Sequence, residues 1–158
     1  MTAPYSQQRF RDGPYVRIAT ICERALQESD GVLSLIRVVD RLTHTASGPD
    51  APAEMPPVTF SLTLVVMLTS GQARGSYDIL LRLELPSGLS RDLASQRLLF
   101  EGEDRGVNIV SPSQLTFDSP GLYWIQVLLD RVLMTKVPLR VEYRRLVVGS
   151  GGLPQSGS

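Results

Sequence analysis

Two stretches in which apolar and polar residues alternate constrain the fold of this chain more than any other sequence feature. In residues 58–68 the even-numbered positions are all apolar, and in residues 77–85 the odd-numbered positions are all apolar. Such a period of two is typical of strands with one buried face, because successive side chains point to opposite sides of a sheet. Gly71 and Gly75 lie between the two stretches. The pattern therefore predicts two strands joined in an antiparallel hairpin.

Further short apolar runs, punctuated by glycine and proline, follow towards the C-terminus. Three of them lie in residues 96–121, and residues 132–145 alternate apolar with charged side chains from Val137 onwards. Pro138 lacks an amide hydrogen, which favours the edge of a sheet or a bulge at that point. Many short strands with regularly spaced turns predict an all-β fold, specifically an immunoglobulin-like antiparallel β-sandwich of about seven to nine strands.

Residues 15–43 are the ambiguous part of the pattern. The sequence Glu-Ser-Asp-Gly at residues 28–31 is a turn signal, and the β-branched residues that follow it favour two strands joined by a short loop. A helix is the alternative, on a stripe formed by Val32, Leu35, Ile36, Val39 and Leu42. Periodicity alone does not decide between the two interpretations.

Composition divides the chain into one domain with two tails. Residues 1–13 have no hydrophobic period, and residues 149–158 resemble a flexible linker rich in glycine and serine. The domain is expected to span residues 14–148. Within it, the proline-rich residues 44–57 are expected to form an extended crossover between two sheets.

The bulk composition excludes several classes of function. Sixteen basic and sixteen acidic residues give a net charge of zero, so we expect no binding to nucleic acid unless a local basic patch provides it. One cysteine and one histidine are too few for a disulfide or a zinc cluster, and we expect no metal and no cofactor. The N-terminal residues are polar and no apolar stretch approaches the ~20 residues of a membrane span, so we expect no secretory signal and no membrane-spanning segment. Arginine outnumbers lysine fifteen to one. A bacterial, cytoplasmic protein is the expectation.

Motifs near both ends resemble a family of small, uncharacterised bacterial proteins, each a single β-sandwich-like domain with no assigned activity. The motifs are Cys22-Glu23, Asp30-Gly31, Leu33 to Ile36, Asp40, Pro120-Gly121 with Tyr123, and Pro138-Leu139 with Val141. The resemblance covers most of residues 15–143. It implies an all-β fold for the ambiguous N-terminal segment and offers no catalytic residue.

Three groups of residues could carry chemistry, and each also has a purely structural interpretation. His44 is the single candidate for a catalytic base, but no nucleophile motif accompanies it, and a surface histidine is the commoner case. The loop with Glu101, Glu103 and Asp104 could hold calcium weakly, or be a solvated turn. Paired carboxylates for glycoside chemistry could come from Glu23, Glu28, Asp30 and Asp40. Because none of these patterns is specific, we predict no catalytic residue.

A basic stretch near the C-terminus is the remaining charged feature. Its members are Arg131, Lys136, Arg140, Arg144 and Arg145, against the single acid Glu142. Interleaved with Trp124 and Tyr143, they could contact phosphates. The structural interpretation is an edge strand whose charges prevent pairing with another sheet.

The strand predicted at residues 119–130 is apolar on both faces, which raises the question of what covers the second face. Trp124 and Leu128 lie on that face. The cover is either the chain itself or a protein partner. If the face is exposed, its candidate interface residues are Trp124, Leu128, Gln126, Met134, Lys136 and Arg140.

The leading functional hypothesis from the sequence is a non-enzymatic interaction or scaffold module that acts through a sheet face. Its expected partner is another protein or a second copy of the chain, which would make a homodimer. The alternative is a β-sandwich that binds a small molecule or carbohydrate, with Trp124 as a stacking platform. An enzyme is the third possibility, and it would require His44 beside a carboxylate and a nucleophile.

Overall fold

A computed structural model describes residues 10–147 as seven strands joined by short connections. Within these residues there is no helix, so the all-β prediction is confirmed and the helical alternative for the N-terminal segment is wrong. The strands are β1 (Tyr15–Gln27), β2 (Leu33–Val38), β3 (Arg41–Ser47), β4 (Val58–Glu84), β5 (Ser90–Phe117), β6 (Gly121–Leu129) and β7 (Val132–Leu146).

The seven strands form one mixed sheet. Taken across the sheet, neighbouring strands follow the order β2-β1-β4-β6-β7-β3. The remaining strand, β5, is a further partner of β4. Every pair is antiparallel except β3 with β7, which is parallel. The immunoglobulin-like sandwich is not confirmed, because the hydrogen bonding is continuous through β4 and one pair is parallel.

The two alternating stretches belong to a single strand, so the predicted hairpin between them is wrong. β4 runs for 27 residues, and β5 follows it as a partner along nearly its whole length. The pairing register shifts on both sides of Gly71, where the backbone φ is +58°. A Cβ atom at Gly71 would lie 2.6 Å from the Asp12 carbonyl oxygen. The glycine therefore permits a bend and a close chain approach instead of a reversal.

The bend divides the sheet into two halves. The first half contains β1, β2, residues 58–69 of β4 and residues 106–117 of β5. The second half contains residues 76–84 of β4, residues 90–101 of β5, and β6, β7 and β3. Before the bend β4 pairs with β1, and after it β4 pairs with β6.

Both halves turn their inner side chains to one hydrophobic core. Leu64 and Ile21 contribute from the first half, and Leu81, Tyr123 and Leu139 from the second. The ring of Phe117, which ends the first half, meets Tyr123 edge-on at 4.8 Å. The Tyr123 hydroxyl donates a hydrogen bond to the Ser119 carbonyl oxygen at 2.8 Å, so the buried ring keeps a polar partner.

Two turns explain how the short strands are joined. The predicted turn between β1 and β2 is confirmed: the Gly31 amide donates to the Glu28 carbonyl, and the Val32 amide donates to the Asp30 carboxylate. β6 and β7 are joined by Asp130 and Arg131, both with positive φ, as a two-residue type I′ hairpin requires.

The proline-rich segment is shorter than expected, because residues 44–47 belong to β3. The remaining residues, 48–57, carry the chain to β4 and cover one end of the core with Met55. The Tyr143 hydroxyl holds the segment by donating to the Pro52 carbonyl at 2.6 Å. Pro138 occupies an edge as predicted, since β3 pairs with β7 only from Arg140 onwards.

The two predicted tails lie mostly outside the described residues. Residues 1–9 and 148–158 are not described. Residues 10–13 of the predicted N-terminal tail lie against the bend, where the Gln72 amide donates to the Asp12 carbonyl at 2.8 Å.

Candidate interaction faces

The outward side of the first half of the sheet is apolar and exposed. We call this surface the first outer face. Its large apolar side chains, each between 37% and 62% exposed, are Ile18, Leu26, Ile36, Val38 and Val110. The pairing registers place these residues on one side: β1 presents Ile18 and Leu26, β2 presents Ile36 and Val38, and β5 presents Val110. Arg24 is the only charged residue at the paired outward positions of these strands that the structure describes.

Beneath the exposed side chains of the first outer face lies a small buried layer. Cys22 and Val65 are fully buried there, although neither belongs to the main core cluster. The Cys22 thiol donates a weak hydrogen bond to the Thr63 carbonyl at 3.7 Å. Burial raises the pKa of this thiol, with a smaller opposing effect from a backbone hydrogen bond at Arg24. The first half is therefore packed on both of its sides.

The outward side of the second half is different, because charged and polar groups surround its one tryptophan. We call this surface the second outer face. The Glu84 carboxylate accepts a hydrogen bond from Gln126 Nε2 at 2.7 Å and pairs with Lys136 Nζ at 3.2 Å. The same ammonium group lies 5.1 Å from the centre of the Trp124 ring, in a cation–π contact. Trp124 is half-buried within this network.

The six residues predicted as one interface are separated in the structure. Trp124, Gln126, Lys136 and Arg140 do share the second outer face. Leu128 is buried, 9% exposed, so for this residue the chain supplies its own cover. Met134 lies where the β6–β7 register shifts and is partly buried against the main core.

An open cleft of about 800 Å³ lies where β3 and β7 meet the start of β6. Its charged lining residues are Arg41, Arg140, Glu142 and Arg144. Glu142 pairs with both of its neighbours: one carboxylate oxygen lies 3.2 Å from Arg41 Nη1 and the other 3.5 Å from Arg144 Nη2. Arg145, a member of the predicted basic stretch, does not line the cleft.

The candidates for catalysis and metal binding have structural partners. His44 lies within β3, and its ring stacks on Tyr143 with centres 5.9 Å apart. Glu101 pairs with Arg105 at 2.6 Å, and the hydrogen bond and charge of Glu101 raise the pKa of that guanidinium group. Within residues 10–147, no group of three or more His, Cys, Asp or Glu side chains could hold a metal ion.

The four carboxylates considered for glycoside chemistry are not assembled into a site. Glu23 pairs with Arg37 at 2.7 Å, and Glu28 accepts a hydrogen bond from the Ser34 hydroxyl at 2.6 Å. Asp30 caps its turn, and the Asp40 carbonyl accepts from the Arg140 amide. These contacts organise the edges of the sheet.

The first outer face was missed because its exposed apolar residues come from three separate parts of the sequence. One signal is present in the sequence: apolar residues at both odd and even positions, Leu33, Ile36 and Val39, follow the turn at residues 28–31. In the structure Ile36 points outward, whereas Val39 follows the strand and packs against the core. Only the register between β1, β2, β4 and β5 assembles the complete face.

The sequence comparison assigns the chain to a family. The model of a family of unknown function, DUF6941, matches residues 17–142, so the chain belongs to that family. The match confirms the resemblance to an uncharacterised family of single-domain proteins. No curated protein matches the chain.

Among solved structures, the chain is similar to Pseudomonas fluorescens alkylpurine DNA glycosylase AlkC, solved bound to DNA containing an abasic site analog. The TM-score is 0.46 and the sequence identity is 7%. The match covers 81% of this chain and 30% of the glycosylase chain, so the chain spans less than a third of that protein. A likeness at this level does not establish a shared function. Separately, residues 10–147 contain no helix of sufficient length and apolarity to cross a membrane.

Proposed function

We propose that this protein is a non-enzymatic interaction module that associates with a second copy of itself through the first outer face. The observation that carries the proposal is the clustering of five exposed apolar side chains on one side of four paired strands. Exposed apolar side chains that are concentrated on one face indicate an association site in soluble proteins, whereas those scattered singly over a surface do not.

Charge favours a second copy as the occupant. The chain has equal numbers of basic and acidic residues, so two copies approach one another without net repulsion. A two-fold contact places the same patch on both subunits, and an apolar patch is complementary to itself. An acidic or basic partner would instead require complementary charges on this face. The paired outward positions that the structure describes there hold one charged residue, Arg24.

The area of the face is also sufficient for a dimer. Three strands over nine residues and β2 over its six, spaced about 4.8 Å apart with about 3.3 Å per residue, cover about 520 Å². Two copies would bury roughly 1,000 Å² in total, which reaches the ~1,000 Å² expected of a specific interface. The contact is at the small end of the range, so the dimer should dissociate on dilution.

The test is the mass in solution, measured by light scattering after size exclusion over a range of concentrations. The wild-type chain should pass from monomer to dimer as its concentration rises. Val38→Asp should remain monomeric, because it places a carboxylate in the proposed apolar contact at the most exposed of its five side chains. Leu99→Asp is the matched control: Leu99 is as exposed as Val38 but lies on β5 in the second half, so this variant should still dimerise.

Two results would contradict the proposal. One is a wild-type chain that stays monomeric at the highest concentration measured. The other is equal loss of dimer in Val38→Asp and Leu99→Asp, which would mean that the association does not depend on the first outer face. Circular dichroism of both variants would establish that each is folded.

A further inference from the structure

The cleft between β3, β7 and the start of β6 gathers three guanidinium groups on neighbouring strands. Arg41 and Arg140 are directly opposite one another in the parallel β3–β7 register. Arg144 lies on the same side of β7, and its guanidinium group meets the carboxylate that Arg41 also contacts. No ion pair or hydrogen bond of the Arg140 guanidinium group is found with the residues that the structure describes.

The charge of this arrangement fits a doubly charged oxyanion. Three guanidinium groups and one carboxylate give the cleft a charge of +2. A phosphate monoester carries about −1.5 to −2 at neutral pH and offers several strong acceptor oxygens. Arginine binds such groups through two parallel N–H donors, which a planar guanidinium presents in a fixed geometry.

Glu142 gives the site order as well as reducing its charge. Its two oxygens pair with Arg41 and Arg144, one with each, which favours side-chain orientations that keep both guanidinium groups at the cleft. The Arg144 contact is the longer of the two, at 3.5 Å, and is the one that an incoming oxyanion would replace at least cost. The Arg140 guanidinium group has no ion pair or hydrogen bond with the residues that the structure describes, so it can bind an oxyanion without first breaking such a contact.

The size of the cleft exceeds that of a free phosphate ion. The cleft is shallow and open to solvent, with a volume of about 800 Å³, so a ligand larger than phosphate could lie along its surface. Pro120, Gly121, Val141 and Tyr143 supply its remaining surface, against which an uncharged part of a ligand could lie.

We propose that Arg41, Arg140 and Arg144 form a binding site for the phosphate group of a small phosphomonoester. The site lies on the second half of the sheet, on the opposite side of the bend from the first outer face. It therefore does not depend on the proposed dimer, and a monomeric protein could have it.

The experiment is a titration of the full chain with inorganic phosphate and with phenyl phosphate, followed by the backbone amide signals of residues 121 and 140–144. Both ligands should shift these signals with saturation, and phenyl phosphate should bind more tightly because its ring contacts the cleft wall. Arg140→Gln should weaken binding of both ligands by about tenfold, the effect expected for loss of hydrogen bonds to a charged group.

Arg145→Gln is the matched control. It removes the same charge from β7, at the position next to Arg144, but lies outside the cleft. This variant should bind within about twofold of wild type. Equal weakening by Arg140→Gln and Arg145→Gln would overturn the proposal, because it would show diffuse attraction to a basic strand.

A second comparison separates a phosphomonoester from the backbone of a nucleic acid. Methyl phosphate and dimethyl phosphate differ in charge but have similar size, and only the diester resembles a nucleic-acid linkage. The proposed site should prefer methyl phosphate. Equal binding of the two, or preference for dimethyl phosphate, would contradict it, as would the absence of saturable shifts with any of the phosphates.

Discussion

The two outer faces of the bent sheet differ in what their strands leave exposed. The first outer face has exposed apolar side chains from three strands, β1, β2 and β5, above a small buried layer that includes Cys22 and Val65. The second outer face has one aromatic residue, Trp124, held among Lys136, Glu84 and Gln126. Both are sides of the same hydrogen-bonded sheet. The comparison shows that backbone pairing alone does not determine which side of a sheet can associate; the side chains at outward positions do.

The largest effect should come from charging the buried layer of the first outer face. Val65 and Val110 are paired directly across β4 and β5, but Val65 is fully buried and Val110 is 39% exposed. Val65→Asp should lower the free energy of unfolding by about 3–5 kcal/mol, because it buries an unpaired carboxylate. Val110→Asp should cost less than about 1 kcal/mol.

Urea unfolding of both variants, at concentrations where the chain is monomeric, would measure this difference. Similar midpoints for Val65→Asp and Val110→Asp would show that the first outer face has no buried layer of its own. The contrast between the two faces would then be one of composition only.

A smaller effect is expected from removing the aromatic residue of the second outer face. Trp124→Ala loses a half-buried ring and its contact with Lys136, and should destabilise the fold by about 1–2 kcal/mol. The same variant should dimerise as the wild type does, because Trp124 is not part of the first outer face. A monomeric but folded Trp124→Ala would move the interface to the second outer face.

The smallest effect concerns the alkaline stability contributed by Cys22. The folded protein raises the pKa of this thiol above its ordinary value of 9.0, so the native state retains a proton that the unfolded chain loses. Stability from this group is therefore complete below pH 9 and decreases as pH rises from 9 towards the native pKa. The free energy of unfolding should fall between pH 9 and pH 10 by more in the wild type than in Cys22→Ala.

Urea unfolding at the two pH values gives this double difference directly. An equal fall in both proteins would show that Cys22 does not contribute. Slow reaction of the native thiol with a disulfide reagent at pH 8, and fast reaction in urea, would independently confirm its burial.

Much of the fold could be predicted from alternation alone, as β4 illustrates. The even-numbered positions before Gly71 and the odd-numbered positions after it do face the core. The connection between the two alternating stretches was predicted wrongly. Two glycines between such stretches indicate a turn as readily as they indicate a bulge. Only the partner strand β5, which continues past the bend, distinguishes these possibilities.

The candidate sites were less predictable than the fold. The sequence predicts Trp124 as an interface residue because it is a large aromatic side chain on a strand that is apolar on both faces. Its environment, however, depends on Glu84 and Lys136, which lie on two other strands. Arg41 was not predicted as a site residue, because it is far in sequence from the basic stretch that it joins. Parallel pairing of β3 with β7 has no local sequence signal.

The sequence by itself determined that this protein is built from strands, which side of most strands faces the core, and where several turns lie. These properties depend on neighbouring residues, whose alternation and turn preferences act locally. The tertiary structure decided that two patterns form one bent strand, that β3 pairs in parallel with β7, and that the apolar residues of the first outer face lie together. These properties depend on contacts between distant segments, where register and close backbone approach determine which side chains meet.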